Sequence, residues 1–318
     1  MEALVSINAW DDFESIYQLF SHHIILQSHN PTLIQIFQLV EWMIDPLYKQ
    51  VSPCRFVKRP QKSIEFSYDP KHPFPNEQIP QGKSFYDLDF YHNLNRIFKI
   101  LQSAIGENPI IFVKLCRVFK GYLKTPSTET EIHNEILAHL QLIMGKYLLP
   151  GMTLFKCNPG VATEFWLAFQ EIDYKMRYYY FNEWITNIQF SDPILIEKVV
   201  QTLNEINKWL KRLAKDKIRH NGRTLGKLSH NNPVFIFNEI VKAVKSYPNQ
   251  ITSMIGALNY SSNLSLDINL FTVLRHVSDS NKEKLKQNDA NLEGWLLNLA
   301  NYIGLFLRKN YNVTYLIL

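Results

Sequence analysis

The feature that most constrains this chain is a pair of residues that recurs along it: Asn30-Pro31, Asn108-Pro109, Asn158-Pro159, Asp192-Pro193 and Asn232-Pro233. An Asn or Asp side chain can accept a hydrogen bond from the free N–H groups of a first helical turn. Proline in the next position gives up no helical bond, and its φ is already set for a helix. Each pair therefore predicts a helix start. After the first, Leu33, Ile36, Phe37, Val40, Met43, Ile44 and Leu47 follow a three-four spacing that places them on one helical face. The same period runs through Ile196, Val199, Leu203, Ile206 and Leu210. It recurs at Ile132, Ile136, Leu140, Ile143 and Tyr147, behind Thr128 and Glu131 at capping-box spacing, and at Leu292, Leu296, Leu299 and Ile303. No segment shows a convincing period of two. The expectation is an all-α chain, an irregular helical-repeat solenoid of antiparallel helices, without the fixed repeat length of ankyrin or tetratricopeptide arrays.

With 46% hydrophobic and 20% charged residues the chain can bury a core and lies outside the composition range of disorder. Pro53, Pro60, Pro70, Pro73, Pro75 and Pro80 interrupt any helix over 52–83, which is expected to be a long loop, either disordered or in contact with a neighbouring subunit. The organisation expected from this is a helical segment over 1–51, the loop over 52–83, a helical stack over 84–230 and a further helical-repeat region over 231–318.

Several kinds of chemistry find little support. No apolar run is long enough to span a bilayer, and Met1-Glu2-Ala3-Leu4 opens without the basic and apolar regions of a secretion signal, so an interior compartment and no membrane partner are expected. Cys54, Cys116 and Cys157 are odd in number and far apart, as expected of buried small hydrophobes rather than disulfides or zinc ligands. His22, His23 and His29 cluster without a Cys or carboxylate at ligand spacing. Asn221-Gly-Arg-Thr-Leu-Gly-Lys-Leu-Ser-His230 has the residue types of a phosphate loop, but three residues separate its glycines and Leu228 stands between Lys227 and Ser229. Adjacent Ser229 and His230 do not set a hydroxyl against an imidazole, and Ser229 or Asn231 is expected to cap the helix opening at Pro233. Asp11-Asp12 reads as first-turn acid at a helix start rather than an acid/base pair. No catalytic, cofactor or metal residue is expected.

Charge is more informative. Lys208, Lys211, Arg212, Lys215, Lys217, Arg219, Arg223 and Lys227 face a single acid, Asp216, so this one segment carries more positive charge than the +5 of the whole chain. Two readings stand side by side. The segment could contact nucleic acid or an acidic partner, or it could be a solvated helix end, where Lys and Arg are favoured.

From Gly222-Arg-Thr-Leu-Gly-Lys-Leu-Ser-His-Asn-Asn-Pro233 outward the chain resembles the THO complex subunit 2 family. The resemblance extends back through Leu148-Leu149-Pro150, Cys157-Asn158, Glu164-Phe165-Trp166, Arg177-Tyr178 and Glu183-Trp184. It extends forward through Lys245-Ser-Tyr-Pro-Asn-Gln-Ile-Thr252, Lys282 to Lys284 and Trp295 to Arg308. Trp10 and a turn at Pro46-Leu47-Tyr48 fit it as well; the proline-rich loop does not. The resemblance implies a non-catalytic nuclear scaffold in the THO/TREX assembly, which couples transcription to mRNA export. The implied partners are other THO subunits, a DEAD-box RNA helicase and mRNA, met directly or through those proteins, with direct RNA binding by 208–227 as the alternative. It further implies a MIF4G-like region from about residue 225 onward. Family members are longer, so the chain is expected to be an interior piece whose uncovered apolar face promotes self-association.

Overall fold

A computed structural model describes residues 1–19, 30–52, 78–125, 131–155, 157–190, 192–214, 217–279, 283–285 and 292–310. These residues are all-α; the one extended pairing among them is an isolated antiparallel bridge between Leu285 and Leu292. Two compact units, Met1–Gly151 and Met152–Leu318, divide the chain.

The first unit comprises α1 (Glu2–Ser6), α2 (Trp10–Tyr17), α3 (Pro31–Val51), α4 (Leu88–Leu101), α5 (Pro109–Leu123) and α6 (Glu131–Leu142), the last continuing through a wide π turn into the short α7 (Leu149–Gly151). Asn30 accepts from Thr32 N–H and Asn108 from Ile111 N–H, so both predicted starts are capped as their chemistry requires. The predicted face of α3 is buried from Leu33 to Leu47. Alternate helices pack together, α1 and α5 on α3 and α6 on α4, which is how a two-layered helical stack covers each apolar face. Arg96 of α4 ties down α2, donating to Asp11 and Glu14 at 2.7 Å each.

At Pro46 the expected turn is instead the interior of α3. Proline has no N–H to give the carbonyl of Trp42, four residues back. That carbonyl accepts from the Gln81 side chain at 3.0 Å, and the neighbouring carbonyl of Met43 accepts from Gly82 N–H at 3.1 Å. The end of the proline-rich segment thus satisfies the helix it crosses, and Asn8 fastens it from the other side by donating to Ile79 O at 2.9 Å. Residues 53–77 of that segment, Thr128, the cluster of His22, His23 and His29, and Cys54 all lie outside the described residues.

The second unit holds α8 (Pro159–Phe169), α9 (Tyr174–Thr186), α10 (Pro193–Lys211), α11 (Ile218–Ser229), α12 (Pro233–Ser246), α13 (Ile251–Ala257), α14 (Asn263–Val277) and α15 (Gly294–Lys309). From α10 onward the helices alternate: α10 packs on α12 and α12 on α14 in one row, α11 on α13 and α13 on α15 in the other, while α8 and α9 pack on α14. The two rows are cross-linked where α12 also packs on α15. At the helix starts, Asn158 accepts from Gly160 and Val161 N–H, and Asp192 accepts from Ile194 N–H.

Two apolar stripes of this unit differ from the sequence reading, and in the first unit Ile132, at the start of the α6 stripe, is exposed. In α10 the buried positions are Leu195, Val199, Thr202, Ile206 and Trp209, while Ile196 is exposed. The true stripe was hidden by Thr202, whose hydroxyl is satisfied by donating to Lys198 O and by accepting from the distant Asn232 Nδ2. In α15 the buried residues are Leu299, Tyr302 and Phe306, with Leu292 exposed.

Helix α14 is enclosed nearly all round and carries Ser265, Asp267, Asn269 and Thr272 at 0% exposure. Buried polar groups are costly unless bonded, and three of these bind a neighbouring helix. Ser265 donates to Ser229 O of α11 at 3.1 Å, Asn269 accepts from Tyr302 Oη of α15 at 2.9 Å, and Asp267 accepts from Arg177 Nε of α9 at 3.1 Å. Burial pushes the Asp267 carboxyl up, against the Arg177 charge that pulls it down.

Candidate functional site

The basic segment folds as a helical hairpin, α10 and α11, within the second unit. Its closure is held by two side-chain bonds: Trp209 donates Nε1–H to Asn221 O at 2.9 Å, and Asn221 donates Nδ2–H to Ala214 O at 3.3 Å. Both residues are buried. Lys215 and Asp216, at the tip, lie outside the described residues.

The seven described cations, Lys208, Lys211, Arg212, Lys217, Arg219, Arg223 and Lys227, are all exposed, and none forms an ion pair with a described carboxylate. They divide into three groups. Lys208 of α10, Arg212 at its C-cap and Lys217 before α11 line a cleft of about 520 Å³ between the two helices, together with Glu205, Trp209, His220, Asn221, Thr224 and Leu228. Arg219, Arg223 and Lys227 recur every four residues and form a separate stripe on the exposed face of α11. Lys211 points elsewhere, into a second cleft that it shares with Lys242 and Glu239 of α12.

The helix-end explanation holds for part of this charge. Lys208 and Lys211 stand in the last turn of α10, where the carbonyl end of the helix favours cations. Lys217 and Arg219 stand at the opposite kind of end. Lys217 occupies the N-cap of α11 without making a side-chain cap bond, and the first turn of the helix holds no acid. Cations there oppose the helix dipole instead of complementing it.

The segment that has the residue types of a phosphate loop is the interior of α11, and its glycines have a packing role. A Cβ on Gly222 would come within 2.2 Å of the Tyr260 ring, and one on Gly226 within 2.5 Å of the Tyr260 carbonyl oxygen. Both positions let α11 approach the turn after α13. The spacing of Gly222 and Gly226, four apart on one face, was the signal for close helix packing. Ser229 ends α11, donating its hydroxyl to Gly226 O at 3.2 Å, and His230 follows with its imidazole pushed toward the neutral form by burial. Neither Ser229 nor Asn231 caps α12: the N-cap is Asn232, whose side chain turns inward to Thr202, and Asn231 donates to Phe155 O.

Elsewhere, Cys116 is buried as expected but Cys157 is exposed, because it precedes the cap of α8 rather than lying on a packed face. Among the described residues no group of three His, Cys, Asp or Glu side chains could hold a metal, and no helix is long and apolar enough to cross a membrane.

The fold and its surface define a helical-repeat protein whose polar interior joins helix to helix and whose described surface carries a basic hairpin with no ion pair to a described carboxylate. Two family models match it in succession: "THO complex subunit 2 N-terminus" over residues 75–223 and "Transcription- and export-related complex subunit" over residues 225–300. THO complex subunit 2 of Homo sapiens is 28% identical over 316 residues, covering 97% of this chain, as is that of Mus musculus; that of Arabidopsis thaliana is 26% identical over 300 residues, covering 89%. The chain belongs to the THO complex subunit 2 family. It spans 19% of the length of the mammalian relatives and 16% of the plant one.

Proposed function

We propose that this chain is a non-catalytic scaffold segment of a THO complex in the nucleus, serving transcription-coupled mRNP assembly and mRNA export. Its surfaces, each built from several helices, hold other THO subunits and a DEAD-box RNA helicase, and mRNA is reached directly or through those proteins. The observation that carries this reading is the colinear match to THO complex subunit 2 over 97% of the chain. The way buried polar groups are spent fits it: Arg177, Asp267, Asn269 and Ser265 join helices to one another instead of lining a reactive pocket. On the same proposal, residues from about 225 onward form part of a MIF4G-like region that docks the helicase.

A second reading is direct RNA binding by 208–227, favoured by the seven exposed cations that form no ion pair with a described carboxylate. Reconstitution separates the two. The chain is mixed with purified THO subunits, with and without ribonuclease, and assembly is followed by sedimentation velocity. The scaffold reading expects a complex that survives ribonuclease and survives Arg219→Glu, Arg223→Glu and Lys227→Glu together. Direct binding expects that this triple reversal abolishes RNA affinity, and that the affinity of the unaltered chain falls steeply with salt. A chain that joins no THO subunit under any of these conditions contradicts the scaffold reading.

A further inference from the structure

We propose that the cleft between α10 and α11 is a docking site for an acidic peptide segment of a partner protein. Three cations converge on it from two elements, Lys208 from α10, Arg212 from its C-cap and Lys217 from the N-cap of α11, around a concavity of about 520 Å³ that can enclose a side chain and its flanking backbone. None of the three is neutralised by a described carboxylate. Lys217 is placed unfavourably in the free protein, since it adds positive charge to a helix N-terminus whose N–H groups already carry it and whose N-cap residue makes no side-chain cap bond. A carboxylate seated in the cleft relieves both at once: it meets the guanidinium of Arg212 in paired hydrogen bonds and stands in the field of the α11 N-terminus.

The lining favours a peptide over a nucleic acid. Single-stranded RNA is held by stacking its bases on open aromatic faces as well as by its phosphates. In this cleft Trp209 is 5% exposed and its Nε1–H is committed to Asn221 O, which leaves His220 as the one exposed ring among the described lining residues. Glu205 also lines the cleft, where it opposes any anionic chain, and a peptide can offset this by donating backbone N–H groups to it. Thr224 and Leu228 complete a wall that is part polar and part apolar, suited to a peptide backbone with an aliphatic neighbour. The stripe of Arg219, Arg223 and Lys227 lies outside this cleft and serves as the internal control.

The proposal rests on the scaffold reading only in taking the ligand to be a partner protein, and subunit assembly, measured separately as above, tells failure of one from failure of the other. The test is fluorescence anisotropy of the whole chain with a labelled peptide of alternating Asp and Glu, beside the matching Asn/Gln peptide. Lys208→Glu with Arg212→Glu should weaken the acidic peptide by about tenfold or more, while Arg219→Glu with Arg223→Glu weakens it by less than about threefold. Lys217→Glu, which leaves α10 untouched, should reproduce the cleft loss, and circular dichroism confirms that each variant is folded. The Asn/Gln peptide should not bind, and a uridine oligonucleotide should not displace the acidic one. The proposal is overturned by equal losses from cleft and stripe, by no binding of the acidic peptide, or by displacement with the oligonucleotide, which would assign the cleft to nucleic acid.

Discussion

Replacing glycine by alanine should have opposite signs in two helices of the second unit. In a helix interior the exchange gains about 1 kcal/mol, because alanine loses less backbone freedom on folding. Gly304 sits on the exposed side of α15, where a Cβ meets nothing within 4 Å, so Gly304→Ala should realise most of that gain. Gly226 lies in α11 against the carbonyl oxygen of Tyr260, at 2.5 Å from the position a Cβ would take, with the Tyr260 carbonyl carbon at 3.3 Å. Main chain cannot rotate aside as a side chain can, so α11 must retreat from the turn it packs on, at a cost of about 1–3 kcal/mol for overpacking. Helix propensity offsets part of this, leaving Gly226→Ala about 1 kcal/mol or more less stable than the parent, and about 2 kcal/mol below Gly304→Ala. Urea denaturation followed by far-ultraviolet circular dichroism resolves a difference of that size. Equal stabilisation by the two substitutions would refute the argument that the glycines of α11 exist for close packing.

Two further predictions concern buried charge and protons. Asp267→Ala leaves Arg177, at 3% exposure, without its countercharge, and should cost about 3–5 kcal/mol in denaturant unfolding, whereas Arg177→Met with Asp267→Leu should recover much of that loss. Burial holds the imidazoles of His139 and His230 below the ordinary value of 6.5; for His139, Lys99 and His92 add to this against Glu135. The unfolded chain therefore binds protons first as pH falls, so stability from these groups is complete above about pH 7 and declines as pH drops through 6.5 toward the folded values. His139→Gln keeps an acceptor for Asn95 Nδ2 and should flatten part of that decline when unfolding midpoints are measured across this range.

Helix existence was legible in the sequence because Asn-Pro and Asp-Pro at a helix start act locally: the cap needs only the next three residues. Facing was less legible. In α10 the adjacent apolar pairs Leu195-Ile196 and Val199-Val200 allow two registers, and the correct one passes through Thr202, whose hydroxyl is satisfied by a partner thirty residues away. The helix through Pro46 was misread as a turn for a similar reason, since the donor to Trp42 O comes from Gln81. For the basic segment, spacing alone placed the charge but not its grouping. The hairpin closure made by Trp209 and Asn221 determines that Lys208, Arg212 and Lys217 meet while Lys211 faces α12.

On the proposed function, protein surfaces hold this chain in its assembly. Affinity capture of the tagged chain from nuclear extract, with and without ribonuclease and with retained proteins identified by mass spectrometry, tests it most directly. THO subunits and the helicase should stay bound after ribonuclease. Loss of all of them on ribonuclease treatment would contradict it, and would make RNA the bridge and the basic hairpin the seat of function.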